Sequence, residues 1–279
     1  MRLWIAILAA GPLLAVPALA ISPIDGAGLH AKFVGDSKAI QTNGTGYGDN
    51  FSELDQLWAT SDGTNVHLGV SGNMEANGNS VVVLFDTMPG GSSVLNAPGS
   101  SIAGHNGALT FDDDFMPDFG FALNNSGGTL YADMVDFGGA TSTYIGNAPV
   151  NGGPGGSDPA VQFALNNTNT MGVTSSDPSG ADTADTGLEM LIGSAKIGAA
   201  GSFKMMVYLQ NQNGQWLSNQ FLPGLPNGTG NLNNGPVDLR TFTNVPHHYV
   251  TVGSAIPEPG SLAFLATGLL PLLGLRRRK

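Results

Sequence analysis

The sequence predicts an all-β domain: an antiparallel β-sandwich, jelly-roll-like, with one or two short helical turns. Three observations predict it. Strand alternation recurs through residues 21–255, whereas helical periodicity is scarce. The short apolar runs are separated by Gly, Asn, Asp and Ser clusters at intervals that suit a sandwich. The chain has 279 residues with 41 Gly and 17 Pro, but no three-residue period, which excludes collagen. It has no Cys, so a disulfide framework and any thiolate metal site are excluded as well.

The elements follow in order. Residues 65–70 place Val66, Leu68 and Val70 on one face of a strand. Residues 80–85 form a continuous apolar run rich in Val, as expected for a strand buried on both sides. Residues 118–123 alternate large and small side chains, and residues 130–135 follow after the turn at 125–128. In 187–198, residues 188–192 read as a strand and 194–197 as one helical turn, with Ser194 as N-cap and Gly198 as the C-terminal glycine. Residues 203–209 are a clear strand, and a turn at 211–214 leads to 215–218. A last strand is expected at 248–252. The Gly/Pro/Asn-rich stretch 147–159 reads as a long surface loop, and no internal repeat is visible.

The two ends read differently from this single domain. Residues 1–20 carry Arg2, an apolar run and Ala18-Leu19-Ala20, the small-x-small cleavage pattern of a secretory signal peptide. At the other end Ile256-Pro257-Glu258-Pro259-Gly260 precedes an apolar stretch, 262–275, and then Arg276, Arg277, Arg278 and Lys279. As a helix, 262–275 spans about 21 Å, short of a hydrocarbon core of about 30 Å, so it is a marginal anchor. The basic terminus is expected to stay on the cytoplasmic side, which leaves everything before Pro257 outside.

Pro-Glu-Pro, a short apolar helix and a basic terminus, over 256–279, resemble the PEP-CTERM sorting signal that exosortase-type transpeptidases process in Gram-negative bacteria. The tail departs from that pattern in a slightly short helix carrying Pro271. The resemblance implies that Pro257, Glu258 and Pro259 form the recognition site and that the tail is cut off during export. It further implies transient partners, the exosortase and the inner membrane, and a final location in the cell envelope or outside the cell.

Charge points the same way. Lys and Arg number 10 against 21 Asp and Glu. Setting aside Arg2, the four terminal cations and Glu258 leaves 5 basic against 20 acidic side chains, a net charge near −15. That surface repels phosphate backbones, so no nucleic-acid partner is expected. It suits a secreted protein that must stay dissolved, or one that collects Ca²⁺.

A second, looser resemblance covers about 60–255. The stretches TNVHLGVSGNMEANGNSVVVLFDT, GLEMLIGSAKIG and FKMMVYLQNQNGQWLSNQFLPGL are similar to exported domains related to DOMON and to family 9 carbohydrate-binding modules. The Met and His axial ligands of heme-binding relatives have no identifiable counterpart here.

Candidate chemistry is sparse. Asp112, Asp113 and Asp114, with Asp118 four further on, form the densest anionic segment; it is either a Ca²⁺ site or a solvated acidic turn, and calcium is the only cofactor expected. The amide-rich loop 227–235 could offer oxygens to a cation or a sugar, although Asn and Gly also serve left-handed turns. No zinc spacing and no nucleophile elbow is present. Among the carboxylates Glu53, Glu75 and Glu189, the last sits within a strand and is expected to face water. Flat rings stack on sugars while amides bond the hydroxyls, so Trp216 beside Asn213, and Trp58, are candidate ligand-binding residues, with Tyr47 and Tyr144 also outside the apparent core pattern. The expected function is an exported cell-surface or matrix protein with a non-catalytic binding or structural role, polysaccharide being the expected ligand. The alternatives are a polysaccharide hydrolase using Glu189 or the 112–118 carboxylates, and a passive coat protein without ligand.

Overall fold

Two antiparallel sheets carry most of the chain in the computed structural model, which describes residues 23–253 apart from 34, 36 and 100. The expected signal peptide and sorting signal, including Pro257, Glu258, Pro259, Arg276, Arg277 and Arg278, lie outside the described residues. Among the described residues, no helix is long and apolar enough to cross a membrane.

The first sheet orders β1 (Ala39–Ile40), β2 (Glu53–Ser61), β3 (Asn65–Asn73), β10 (Gly187–Gly193) and β9 (Val161–Leu165). The second orders β12 (Leu217–Leu222), β11 (Phe203–Gln210), β4 (Asn77–Asp86), β6 (Phe119–Ser126), β7 (Thr129–Asp136) and β8 (Thr141–Pro149), with β14 (Val250–Val252) on β11. A small parallel pair joins β5 (Leu109–Thr110) to β13 (Val237–Asp238). The protein is therefore mostly β, built of antiparallel sheets and not closed into a barrel.

Side-chain alternation explains how the sheets adhere. Leu57, Val66, Leu68, Met190 and Ile192 of the first sheet join Val81, Val83, Phe85, Phe121 and Val207 of the second in one apolar cluster. Burying each such side chain is worth about 1.5–3 kcal/mol. The run at 80–85 is buried on both faces, as expected: Val82 and Leu84 turn the other way, into a second cluster with Ile102, Phe111, Tyr208 and Phe221. Tyr208 and Phe221 stack there, ring centroids 5.3 Å apart.

Several elements differ from expectation. β2 is not apparent in the sequence, because Glu53, Asp55 and Gln56 are buried polar residues that blur its alternation, and its register shifts between Leu54 and Leu57. β8 takes in residues 147–149, so the loop is shorter than 147–159, and it leads into β9. The turn Ser194–Ile197 forms as a 3-10 helix closed by Gly198 at φ 64°, but Gly193 occupies the N-cap and Ser194 makes no capping bond. The last strand begins at Val250 rather than 248, because the His248 N–H donates to Asp112 Oδ2, 2.6 Å, instead of to a neighbouring strand. A one-turn helix, α1 (Leu29–Lys32), is too short to show a period.

Candidate functional site

The β7–β8 pair forms an edge of the larger sheet, and it carries two exposed aromatic side chains. Its register sets Tyr131 opposite Asn147, and a shift between Ala132 and Asp133 then sets Asp133 opposite Tyr144. Directly opposed residues share a face, so these four side chains lie together on the outside of the sheet. Tyr131 is 41% and Tyr144 52% exposed. Asn147 Nδ2 donates to Tyr144 Oη at 2.9 Å, which steadies the ring. Partial burial pushes the Asp133 carboxyl above the ordinary range. Two rings, an amide and a carboxylate on a flat strand surface make a platform for stacking and hydrogen bonding.

On the inner side of the same edge the sheets part, leaving a cleft of about 550 Å³. Its lining includes Phe119, Met134, Tyr144, Asp136, Asp158 and Lys196. Lys196 Nζ lies 2.6 Å from Asp158 Oδ2, and this bond holds the Asp158 carboxyl below its usual value.

Trp216 lies at the opposite edge, in the hairpin between β11 and β12, and is 46% exposed. Its N–H donates to Asn211 Oδ1 at 3.0 Å, and its carbonyl accepts from Tyr47 Oη at 3.0 Å. Asn213 is exposed and bonds within the hairpin: it accepts from the Gln215 N–H at 3.1 Å, and its Nδ2 donates to Gln215 Oε1 at 3.2 Å. Trp58 is not a surface ring. It is 3% exposed, stacked on Phe33 at 6.1 Å and set edge-on to His30, because α1 folds over β2 and covers it.

Each acid of the aspartate run has its own partner. Asp112 Oδ1 lies 3.3 Å from His248 Nδ1; Asp113 pairs with Arg240 at 2.7 Å; Asp114 accepts from Tyr249 Oη and pairs with Lys204. The Tyr249 hydroxyl, followed by Lys204, holds the Asp114 carboxyl low. Asp118 Oδ2 accepts from the N–H groups of Thr87 and Met88, at 2.8 and 2.7 Å. Among the described residues, no three His, Asp or Glu side chains are grouped to hold a metal ion. Asp112 and Asp114 fasten His248 and Tyr249, Asp118 fastens the loop after β4, and Asp113 holds Arg240. The loop 227–235 is likewise tied inward, Thr229 O accepting from both Asn43 and Asn219 at 2.7 Å.

Glu189 does not face water. It is 0% exposed, with Lys32 Nζ 2.7 Å from Oε2, His67 Nε2 2.8 Å from Oε1, and the N–H groups of Asp25 and Gly26 donating at 2.9 Å. Burial works against its charge, but the bonds from His67, Lys32 and the two N–H groups outweigh it and hold the carboxyl below its usual range. Glu53 and Asp55 are also 0% exposed. Burial first, then the neighbouring acids, push them up to about 8 and about 7. A glycosidase requires two carboxyls flanking an open cleft, one of them raised. Here the strongly raised pair lies under a loop, and Asp158 in the open cleft is held low.

Of the two rings, Tyr144 alone stands outside the apparent core pattern of the sequence. Tyr131 read as an ordinary strand residue, and only the register joins the two rings. Compared with known proteins, the chain matches no family model, no curated protein and no solved structure.

Proposed function

We propose that this is an exported, non-catalytic binding protein of the cell envelope or its matrix, folded as a jelly-roll-like sandwich and processed at its C-terminal sorting signal by an exosortase-type system. We infer that the Tyr131–Tyr144 platform contacts extracellular polysaccharide. The observation that carries the binding reading is the pairing of these two exposed rings with Asn147 and Asp133 on one strand face. Diagonal neighbours across antiparallel strands lie about 7–8 Å apart, within reach of successive sugar rings. The placement of the carboxylates favours binding over hydrolysis.

Binding of extracted exopolysaccharide to the exported protein tests the reading. Tyr131→Ala with Tyr144→Ala is expected to abolish retention while Trp216→Ala leaves it intact. Loss with Trp216→Ala alone moves the contact to the hairpin, and retention by all variants refutes an aromatic platform. The mass of the exported protein tests the sorting signal: loss of the segment after the Pro-Glu-Pro motif supports it, and an intact C-terminus refutes it.

A further inference from the structure

Among the described residues, the two buried acids of β2 have no cation paired with them. Glu53 and Asp55 lie two residues apart, so their side chains emerge on the same face of the strand. The segment 169–173 covers them. Val173 N–H donates to Asp55 Oδ1 at 2.7 Å, and Gly172, at φ 116°, packs so tightly that a Cβ would sit 2.2 Å from the same oxygen. The ion pairs among the described residues involve neither acid. The charged neighbour of both is Asp49, of like sign. Two enclosed carboxylates without a counter-charge are expensive to ionise.

The polar groups around them are oxygen-rich. Asn169 Nδ2 lies 3.2 Å from Glu53 Oε1, 3.1 Å from Asp55 Oδ2 and 2.6 Å from the Met171 carbonyl oxygen. An amide nitrogen carries two hydrogens, so it serves three acceptors with two. Asn73 supplies an independent sign. It stands opposite Glu53 in the β2–β3 pair, so the two side chains share a face of the sheet. Asn73 is 4% exposed; its Nδ2 donates to the backbone oxygens of Asn167 and Asn169, and its Oδ1 has no hydrogen-bond partner. A buried amide oxygen without a donor, across from one of two unneutralised carboxylates, describes a place for a hard cation.

We propose that Glu53, Asp55, the Met171 carbonyl and the Asn73 amide oxygen form a Ca²⁺ site beneath the segment 169–173. Calcium draws such oxygens to about 2.3–2.6 Å, so it takes the point now held by Asn169 Nδ2 and supplies the missing positive charge. Only two of the ligands are carboxylates, which is why the site shows no trio of acidic side chains. Its ligands come from β2, β3 and the segment before β10, so the ion ties that segment down onto the sheet.

Calorimetric titration of the chelator-treated, exported protein with Ca²⁺ tests this. One ion per chain is expected, and affinity falls about tenfold or more in Glu53→Gln and in Asp55→Asn, as for loss of a charged ligand. Asp112→Asn, in the other acidic segment, leaves uptake unchanged. Circular dichroism checks that each variant folds. A measurement on the unaltered protein stands beside them: in buffers of different ionisation enthalpy, Ca²⁺ uptake at neutral pH releases protons, and releases more as pH is lowered toward 6. Absence of Ca²⁺ uptake, uptake undiminished in folded Glu53→Gln and Asp55→Asn, loss on Asp112→Asn, or uptake without proton release overturns the proposal.

Discussion

Replacing Lys32 with Met removes the cation from a site that keeps its anion. The Lys32 side chain is 8% exposed and Glu189 0%, with 2.7 Å between Nζ and Oε2, so the pair is desolvated. Breaking such a pair from one side costs about 3–5 kcal/mol, because the remaining charge stays buried. His67 and the two N–H groups still face Glu189, which places the expected cost near the lower end. For a domain of this size about 1 kcal/mol moves Tm by about 2–4 °C, so Lys32→Met should lower it by about 6–12 °C. The pH dependence has a definite sign. The Glu189 carboxyl is depressed below 4.5, so its contribution is present above that value and is lost as pH falls through the lower folded value. In Lys32→Met the folded value rises, and acid unfolding begins at higher pH. The assay is thermal unfolding followed by circular dichroism between pH 3 and 7. In the double variant Lys32→Met with Glu189→Gln, removal of the stranded charge should recover part of the loss. A Tm shift under about 2 °C for Lys32→Met, or a double variant less stable than Lys32→Met alone, refutes the account of a desolvated pair.

Trp58→Ala empties a buried site under α1 and should cost about 3–5 kcal/mol while leaving polysaccharide retention unchanged once the variant is folded; retention lost in a folded variant would restore Trp58 as a contact. Trp216→Ala, at a half-exposed hairpin position, should change stability by less than about 1 kcal/mol in the same melts. In chelator, the raised carboxyls of Glu53 and Asp55, at about 8 and about 7, stabilise the fold at low pH and cease to do so as pH rises through those values. Their contribution to Tm should therefore fall as pH rises from the ordinary carboxylate range to about 8 and level off above it; a flat profile across that range contradicts their burial without a counter-charge. Asp112→Asn weakens the hold on His248, and amide exchange at Val252 should quicken relative to that at Val83.

Legibility in the sequence followed the apolar alternation. Val66, Leu68 and Val70, the run at 80–85, and residues 203–209 announced β3, β4 and β11 because one or both faces of each meet an apolar cluster. β2 was hidden because its buried face is polar: Glu53 and Asp55 are enclosed by a segment more than a hundred residues away, and no local pattern encodes that cover. Glu189 misled for the same reason, since Lys32 and the N–H groups that enclose it come from the other end of the described chain. Trp58 and Trp216 were indistinguishable as residues. One is roofed by α1 and the other stands at a hairpin tip, and that difference lies in tertiary placement alone. The acidic run 112–118 read correctly as a dense anionic segment, but not as four separate attachments, because its partners Lys204, Arg240 and His248 are distant in sequence.

The closing strand has a mechanical meaning. β14 joins β11 through the three opposed pairs Phe203 with Val252, Lys204 with Thr251 and Met205 with Val250, while β12 occupies the remainder of that flank. Tension applied to the chain beyond residue 253 thus reaches this short zipper before anything else, and the bond from Tyr249 to Asp114 and then the Asp112 clasp on His248 are the next links in series. The domain would yield from its trailing end, strand by strand, long before the load arrived at the tyrosine-bearing edge four strands away across the sheet.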